Sequence, residues 1–222
     1  MADHDVFLPV DFIQEFVKDC FVAFGTPPGD AQTCAEVIIA SDLRGIESHG
    51  VGRLRYYYDR LITGQHHVLT HIDTIRESPA TAVLDGNHGL GMVIGKYAMN
   101  LAIEKARKVG MGSVAVRNST HFGIAGYYAT MAASEGMVGF TVTNARPSVC
   151  PTFGTMPMLG TNPLAFAGQL LRQLFQVFLT GLQIPLYIDL DTDFAVLAVV
   201  FVNDFFHQRL NRFQRLSPFS DQ

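Results

Sequence analysis

Residues 81–143 read TAVLDGNHGLGMVIGKYAMNLAIEKARKVGMGSVAVRNSTHFGIAGYYATMAASEGMVGFTVT. Thr81–Leu84 is a short apolar run of strand character, and Met92–Lys108 has helical periodicity. The basic end of that helix (Lys105, Arg107, Lys108) suits the negative pole of a helix dipole. Ser113–Arg117 reads as a strand, Ile124–Ser134 as a helix and Val138–Thr143 as another strand. Strand–helix–strand–helix–strand is the rhythm of an α/β layer.

Upstream of this layer the pattern is helical. Phe12, Phe16 and Val17 recur at helical spacing up to the stop Gly25-Thr26-Pro27-Pro28. A second helix is predicted after Gly29, with Asp30 as N-cap, running through Cys34, Val37 and Ile38 to about Leu43. A third runs from about Gly50 to Ile62 and closes at Thr63-Gly64. His71–Glu77 then reads as a strand, joined to Thr81–Leu84 by a Ser-Pro turn. The resulting division is residues 1–70 helical, 71–168 α/β and 169–222 an atypical apolar tail.

The tail departs sharply in composition. Of the 20 Gly, 19 lie before residue 169, as do all 8 Met, whereas 8 of the 17 Phe lie after it. Its longest uncharged apolar run, Phe194–Val202, has nine residues, about half of what a bilayer-spanning helix needs. No membrane anchor is expected from it. The whole chain of 222 residues carries 48% apolar and 16% charged residues, which excludes a disordered chain. A net charge of −4 without a basic cluster argues against a nucleic-acid partner. Three widely spaced cysteines, Cys20, Cys34 and Cys150, offer neither a disulfide framework nor a zinc site, and no metal is expected. Together with an N-terminus lacking an apolar signal core, they point to the cytoplasm.

Four stretches could carry chemistry. Gly89-Leu90-Gly91-Met92-Val93-Ile94-Gly95 follows a strand and opens a helix, as a dinucleotide-binding turn would. The next strand ends Val116-Arg117-Asn118 without the acidic residue that would hold a ribose, so the glycines read equally as small residues for close packing. In Ser48-His49-Gly50-Val51-Gly52-Arg53-Leu54-Arg55-Tyr56-Tyr57, the residues His49, Arg53 and Tyr57 recur at i, i+4, i+8. On a helix they would share a face, setting an imidazole, a guanidinium and a phenol side by side. Reducing a carbonyl beside a carboxylate needs such parts: a proton donor for the alkoxide and a planar cation for the carboxylate. Ser48 could orient His49 or relay its proton. The competing reading is a surface helix with an incidental His and a solvated Arg.

In Asn118-Ser119-Thr120-His121-Phe122-Gly123-Ile124-Ala125-Gly126, a strand end and two glycines lead into a helix N-terminus, which favours an anionic ligand or is simply a capped helix entry. Leu159-Gly160-Thr161-Asn162-Pro163-Leu164 is a polar turn between apolar strands. His66, His67 and His71 lie close together without a carboxylate or cysteine to complete a ligand set, and read as a polar loop.

Taken in order, DLRGIESHGVGRLRYYYDRLITG, LDGNHGLGMVIGKYAM, VRNSTHFGIAGYYA and MLGTNPLAFA resemble the malate/L-lactate dehydrogenase family of the second, non-Rossmann type. That family includes ureidoglycolate dehydrogenase, diketogulonate reductase, sulfolactate dehydrogenase and the piperideine-carboxylate reductases. The resemblance covers about residues 8–168. It implies an N-terminal helical subdomain followed by a non-Rossmann α/β cofactor domain, forming a homodimer. The implied reaction is hydride transfer between NAD or NADP and a small 2-hydroxy or 2-oxo acid. Carried over by motif, His49 would be the proton donor and Ser48 its relay, with His121 the acid/base in some members. Arg53 would hold the substrate carboxylate, with Tyr57 nearby and Thr161 as a further substrate contact. His121, Phe122, Gly123, Ile124 and Ala125 would form part of the dinucleotide site, with Asn162 adjoining.

Two departures bear on function. Many members carry a Ser or a further Pro where this chain has Ala145 and Arg146 within Asn144-Ala145-Arg146-Pro147, so substrate choice does not carry over. After GTNPLAFA, members continue with an Asp-Met-Ala-Thr type loop that completes the cofactor site. Here the sequence continues Gln169-Leu170-Leu171-Arg172, and Asp189-Leu190-Asp191-Thr192 is the nearest substitute. The tail is expected to hold an apolar helix around Leu170–Leu179 and a strand around Ile184–Leu190. The α/β domain is therefore expected to be incomplete, as in a C-terminally truncated product. The alternative to an active dehydrogenase is a catalytically inactive remnant that partners a full-length subunit.

Overall fold

The computed structural model describes residues 8–168 and the backbone of 194–202. The helix and strand read over Leu170–Leu179 and Ile184–Leu190, and the segment Asp189–Thr192, lie outside the described residues.

The first layer is helical. Helix α1 (Val10–Ala23) buries Val17 and Phe21 against helix α2 (Pro28–Asp42). α2 begins earlier than the predicted Asp30 cap. Pro27 takes the N-cap place with extended backbone (ψ 143°), as Pro9 does before α1 (ψ 137°), and Pro28 opens the helix. A proline there loses nothing, because first-turn N–H groups have no partner within the helix. Asp30 sits instead inside the first turn, where its charge suits the positive pole. α2 buries Ala31, Cys34, Ala35, Val37, Ile38 and Ile39, which makes it the central rod of this layer.

The expected helix from Gly50 is not continuous. Two 3₁₀ turns, Glu47–His49 and Val51–Arg53, precede helix α3 (Leu54–Ile62), and Gly50 between them is extended (φ −88°, ψ −151°). The reason is Asp42. Its carboxylate accepts the Val51 N–H at 2.8 Å and lies so close to Gly50 that a Cβ there would stand 1.6 Å from Oδ1. The chain is thus restarted at Val51 by a side chain rather than carried through by helical bonds.

The second layer is α/β. It contains strands β1 (Asp73–Glu77) and β2 (Thr81–Asp85), helix α4 (Gly91–Val109), strand β3 (Met111–Arg117), helix α5 (Ala125–Ser134), and strands β4 (Met137–Val142), β5 (Leu164–Ala167) and β6 (Phe194–Val202). The sheet order is β1-β2-β3-β6-β4-β5. Only β2 and β3 are parallel neighbours, joined through α4; the other four pairings are antiparallel. This is a mixed sheet, not a doubly wound parallel one. The apolar run Phe194–Val202 is its inner strand, bonded along both edges. Among the described residues no helix is long and apolar enough to cross a membrane.

Each layer has its own apolar cluster. Leu84, Val114, Val116, Ile94, Met99 and Tyr128 pack between the sheet and α4–α5. Leu90 and Met92, at the start of α4, join Val17, Phe21, Val37, Ile38 and Tyr57 of the helical layer. The β2–α4 turn is therefore the seam. Its glycines serve that packing: a Cβ on Gly91 would lie 2.2 Å from the Thr120 carbonyl oxygen, and one on Gly95 2.8 Å from the Tyr128 ring. Lys105, expected to face the helix dipole, is instead buried and bridges Glu77 (2.7 Å) and the Ser78 carbonyl (2.8 Å).

Candidate functional site

The loop between β3 and α5 is fixed by its neighbours before it reaches any ligand. Asp85, at the end of β2, accepts hydrogen bonds from the Asn87 N–H (2.9 Å), Asn118 Nδ2 (2.9 and 3.0 Å) and Arg117 Nε (2.8 Å). These bonds, led by the Asn87 N–H, hold its carboxyl below the usual carboxylate range. Thr120 donates to the Gly89 carbonyl at 2.8 Å and accepts from the Gly91 N–H at 2.9 Å. The helix start that resembled a dinucleotide turn is thus occupied by a hydroxyl of the chain itself. Gly123 adopts φ +79°, and its missing Cβ leaves room for Val37 of α2, 2.5 Å from where that atom would stand. His121 sits between these two anchors.

Against His121 the helical layer brings His49 and Tyr57. The imidazole planes of His49 and His121 stack 22° from parallel with centres 5.4 Å apart. The Tyr57 hydroxyl lies 2.8 Å from His121 Nδ1, which also receives the Gly123 N–H at 3.3 Å. Ser48 Oγ lies 2.9 Å from His49 Nδ1. Arg53 donates through Nε to the Ser48 carbonyl and lays its guanidinium 5.5 Å from the Tyr56 ring centre. His49, Arg53 and Tyr57 therefore do not share one helix face, since a 3₁₀ turn, a second turn and α3 carry them separately. They converge through His121 and Tyr56 instead.

The electrostatics follow from burial among cations. His121 is pushed down to about 4, first by burial and then by His49, Arg53, His66 and Arg146. Burial, then Arg53, also lowers His49. Both imidazoles are therefore neutral at pH 7. Tyr57 is wholly buried, which pushes its phenol well above the ordinary range, so it stays protonated.

The remaining sequence-read positions divide. Phe122 is buried and stacks on Tyr128 with ring centres 5.0 Å apart, and Ile124 and Ala125 are buried as well. These three can offer a ligand only their backbone. Gly126 faces open space, with nothing within 4 Å of a would-be Cβ, at the start of a helix without a side-chain cap. Asn162 adopts φ +40° and accepts the Ala145 N–H at 2.9 Å, holding its own turn. Thr161 is exposed on that turn.

The sequence around His66 predicts a polar loop, but His66 is buried beside Tyr56 and Tyr57, with ring centres 6.1 and 6.3 Å away. Burial, then Arg60, pushes it down to about 4, and its Nδ1 has no hydrogen-bond partner. Among the described residues no group of three metal-ligating side chains occurs.

A profile described as malate/L-lactate dehydrogenase matches residues 8–170. The chain is 54% identical over 160 residues to malate dehydrogenase of Pyrococcus abyssi, covering 72% of this chain and 44% of that one. It is 47% identical over 154 residues to L-sulfolactate dehydrogenase of Methanocaldococcus jannaschii, covering 69% and 45%. The solved structure of malate dehydrogenase from Pyrococcus horikoshii superposes with a TM-score of 0.71 at 48% identity, covering 73% of this chain and 47% of that one. The chain thus spans less than half the length of these relatives.

Proposed function

Because this chain belongs to the malate/L-lactate dehydrogenase family, we propose that it carries the substrate-side half of a nicotinamide-dependent oxidoreductase site for small 2-hydroxy or 2-oxo acids. The observation that carries the reading is the convergence of Ser48, His49, Arg53 and His121 from two layers onto one stack of rings. Arg53 binds the substrate carboxylate. Its Nε is committed to Ser48, which leaves the two terminal nitrogens as a fork for the two carboxylate oxygens.

His49 protonates the carbonyl oxygen on reduction and takes the proton back on oxidation, with Ser48 as its relay. A neutral imidazole is a poor acid, but an anion beside it favours the charged form. Binding the carboxylate on Arg53 therefore raises His49 toward a useful range, so the acid is charged only when there is substrate to protonate. His121 lies against His49 and assists the same oxygen. Thr161 is a further substrate contact.

The site's glycine-rich side fits a dinucleotide. Gly126 leaves open space beside an uncapped helix start, where the backbone of His121–Ala125 would hold a diphosphate, with Asn162 adjoining. When bound, NAD or NADP supplies or accepts the hydride. The homodimer and the cytoplasmic location belong to the same proposal; the latter is supported by three free cysteines.

A second reading is favoured by the family match stopping at residue 170, where sequence of different character takes over: a folded but inactive remnant that partners a full-length subunit. Fluorescence titration with NADH and NADPH separates them. The enzyme reading expects saturable binding that tightens when a 2-oxo acid is present. Absence of binding for both dinucleotides, with and without the acid, would leave the second reading.

A further inference from the structure

Tyr57 is wholly buried, yet its hydroxyl is aimed at one nitrogen of one imidazole. Two groups converge on that nitrogen. The Gly123 N–H can only donate, so His121 Nδ1 acts as an acceptor. A bare Nδ1 in turn requires the Tyr57 hydroxyl, 2.8 Å away, to be a donor. A neutral imidazole carries one proton, and with Nδ1 bare it must sit on Nε2.

We propose that Tyr57 is a positioning residue that, with the Gly123 N–H, fixes His121 as the Nε2–H tautomer. Its role in the reaction rests on the oxidoreductase reading above; the tautomer itself does not. His121 then offers one fixed donor, suited to polarising a substrate oxygen without giving up its proton. His49 is different in kind. Its Nδ1 faces the Ser48 hydroxyl, which can donate or accept, so either tautomer is satisfied and the ring is free to pass a proton. The two stacked imidazoles thus divide the work, one as a fixed donor and the other as a shuttle. Tyr57 acts through His121 and touches no substrate.

Several features make the phenol suited to this. Burial raises its pKa, so it does not lose the proton it donates. Its ring is held by Phe21 at 5.8 Å and Tyr56 at 5.5 Å between centres, so its direction is set by packing. The Tyr56 ring packs against His121, 5.5 Å between centres, and the charged and titratable groups that act on it electrostatically are His49, Arg53, His66 and Arg146; none of them bonds to Nδ1. All of them disfavour a second proton on the ring, and the two donors at Nδ1 do the same.

The test is long-range proton–nitrogen NMR of the histidine rings in the 222-residue chain, with His121 assigned by His121→Gln. The wild type should show a protonated Nε2 and a bare Nδ1 at pH 7, unchanged down to about pH 5. Tyr57→Phe keeps the ring and removes the donor. It should shift His121 toward a mixture of tautomers and raise its pKa by roughly half a unit to one unit. A native amide spectrum for the variant shows that loss of the hydroxyl, not of the fold, is responsible. A protonated Nδ1 in the wild type would overturn the proposal, even if Tyr57→Phe failed to fold. An unchanged tautomer and pKa in a folded Tyr57→Phe would overturn the role of Tyr57. None of these results touches the dinucleotide titration, so the oxidoreductase reading stands or falls separately.

Discussion

The imidazoles of His49 and His121 lie face to face, 5.4 Å between centres, although 71 residues of chain separate them. Two stacked rings in a half-buried site cannot both be charged without cost, and His49 lowers the tendency of His121 to bind a proton. Replacing His49 by Ala should therefore raise the pKa of His121 from about 4. The shift should stop short of an ordinary histidine, because burial is the larger cause and remains. Proton titration followed by NMR reads this directly.

His66 and His121 also make the fold sensitive to acid. Both are neutral when folded, with pKa pushed down to about 4, and both bind protons near pH 6.5 when unfolded. The unfolded chain then holds more protons, so their contribution is complete above about pH 6.5 and is lost as the pH falls toward 4. Each group accounts for on the order of 2–3 kcal/mol over that window. Urea midpoints measured from pH 7 to pH 4 should fall steeply. His66→Phe, which also removes the unpartnered Nδ1, should flatten the fall without lowering the midpoint at pH 7.

Two glycines separate packing from binding. Gly91→Ala would drive a Cβ into the Thr120 backbone and should cost about 2–4 kcal/mol, read as a lower urea midpoint. Gly126→Ala has open space and a helical place to occupy, so it should be neutral or stabilise by about 0.4–1 kcal/mol. If the dinucleotide lies there, Gly126→Ala should nevertheless weaken NADH binding. Unchanged NADH affinity would move the proposed diphosphate site elsewhere.

Arg53→Lys keeps the charge and loses the fork. A 2-oxo acid should bind about tenfold more weakly by calorimetry, a difference of roughly 1.4 kcal/mol. Equal affinity would show that Arg53 is not the carboxylate ligand.

The α/β layer was legible because its signals are local. Thr81–Leu84, Met92–Lys108 and Ser113–Arg117 each form the predicted element to within a few residues, their apolar spacing matching their burial. The break at Gly50 was not legible, since it depends on Asp42 reaching forward nine residues to Val51. Helical spacing put His49 and Arg53 together for a reason the fold does not use, because side chains meeting through a third residue leave no periodic trace. His66 was missed for the same kind of reason: the rings that bury it belong to another element. The glycines of 89–95 were ambiguous until the backbone of Thr120 was seen to fill the space they leave.

Strand β6 has a consequence for the order of events during synthesis. Residues 111–117 and 137–142 are both inner strands, yet the segment that lies between them is 194–202. On a growing chain β1, β2 and β3 can pair as soon as they emerge, and β4 can later pair with β5. The two halves have no strand pairing with each other until some thirty residues beyond β5 have been translated. Until then each presents an open edge of unpaired N–H and C=O groups, the usual template for pairing with the wrong partner. The helices α4 and α5, packed on β3 and β4, are what holds the halves near register through that interval, and mispairing has its widest opening while the chain waits for its sixth strand.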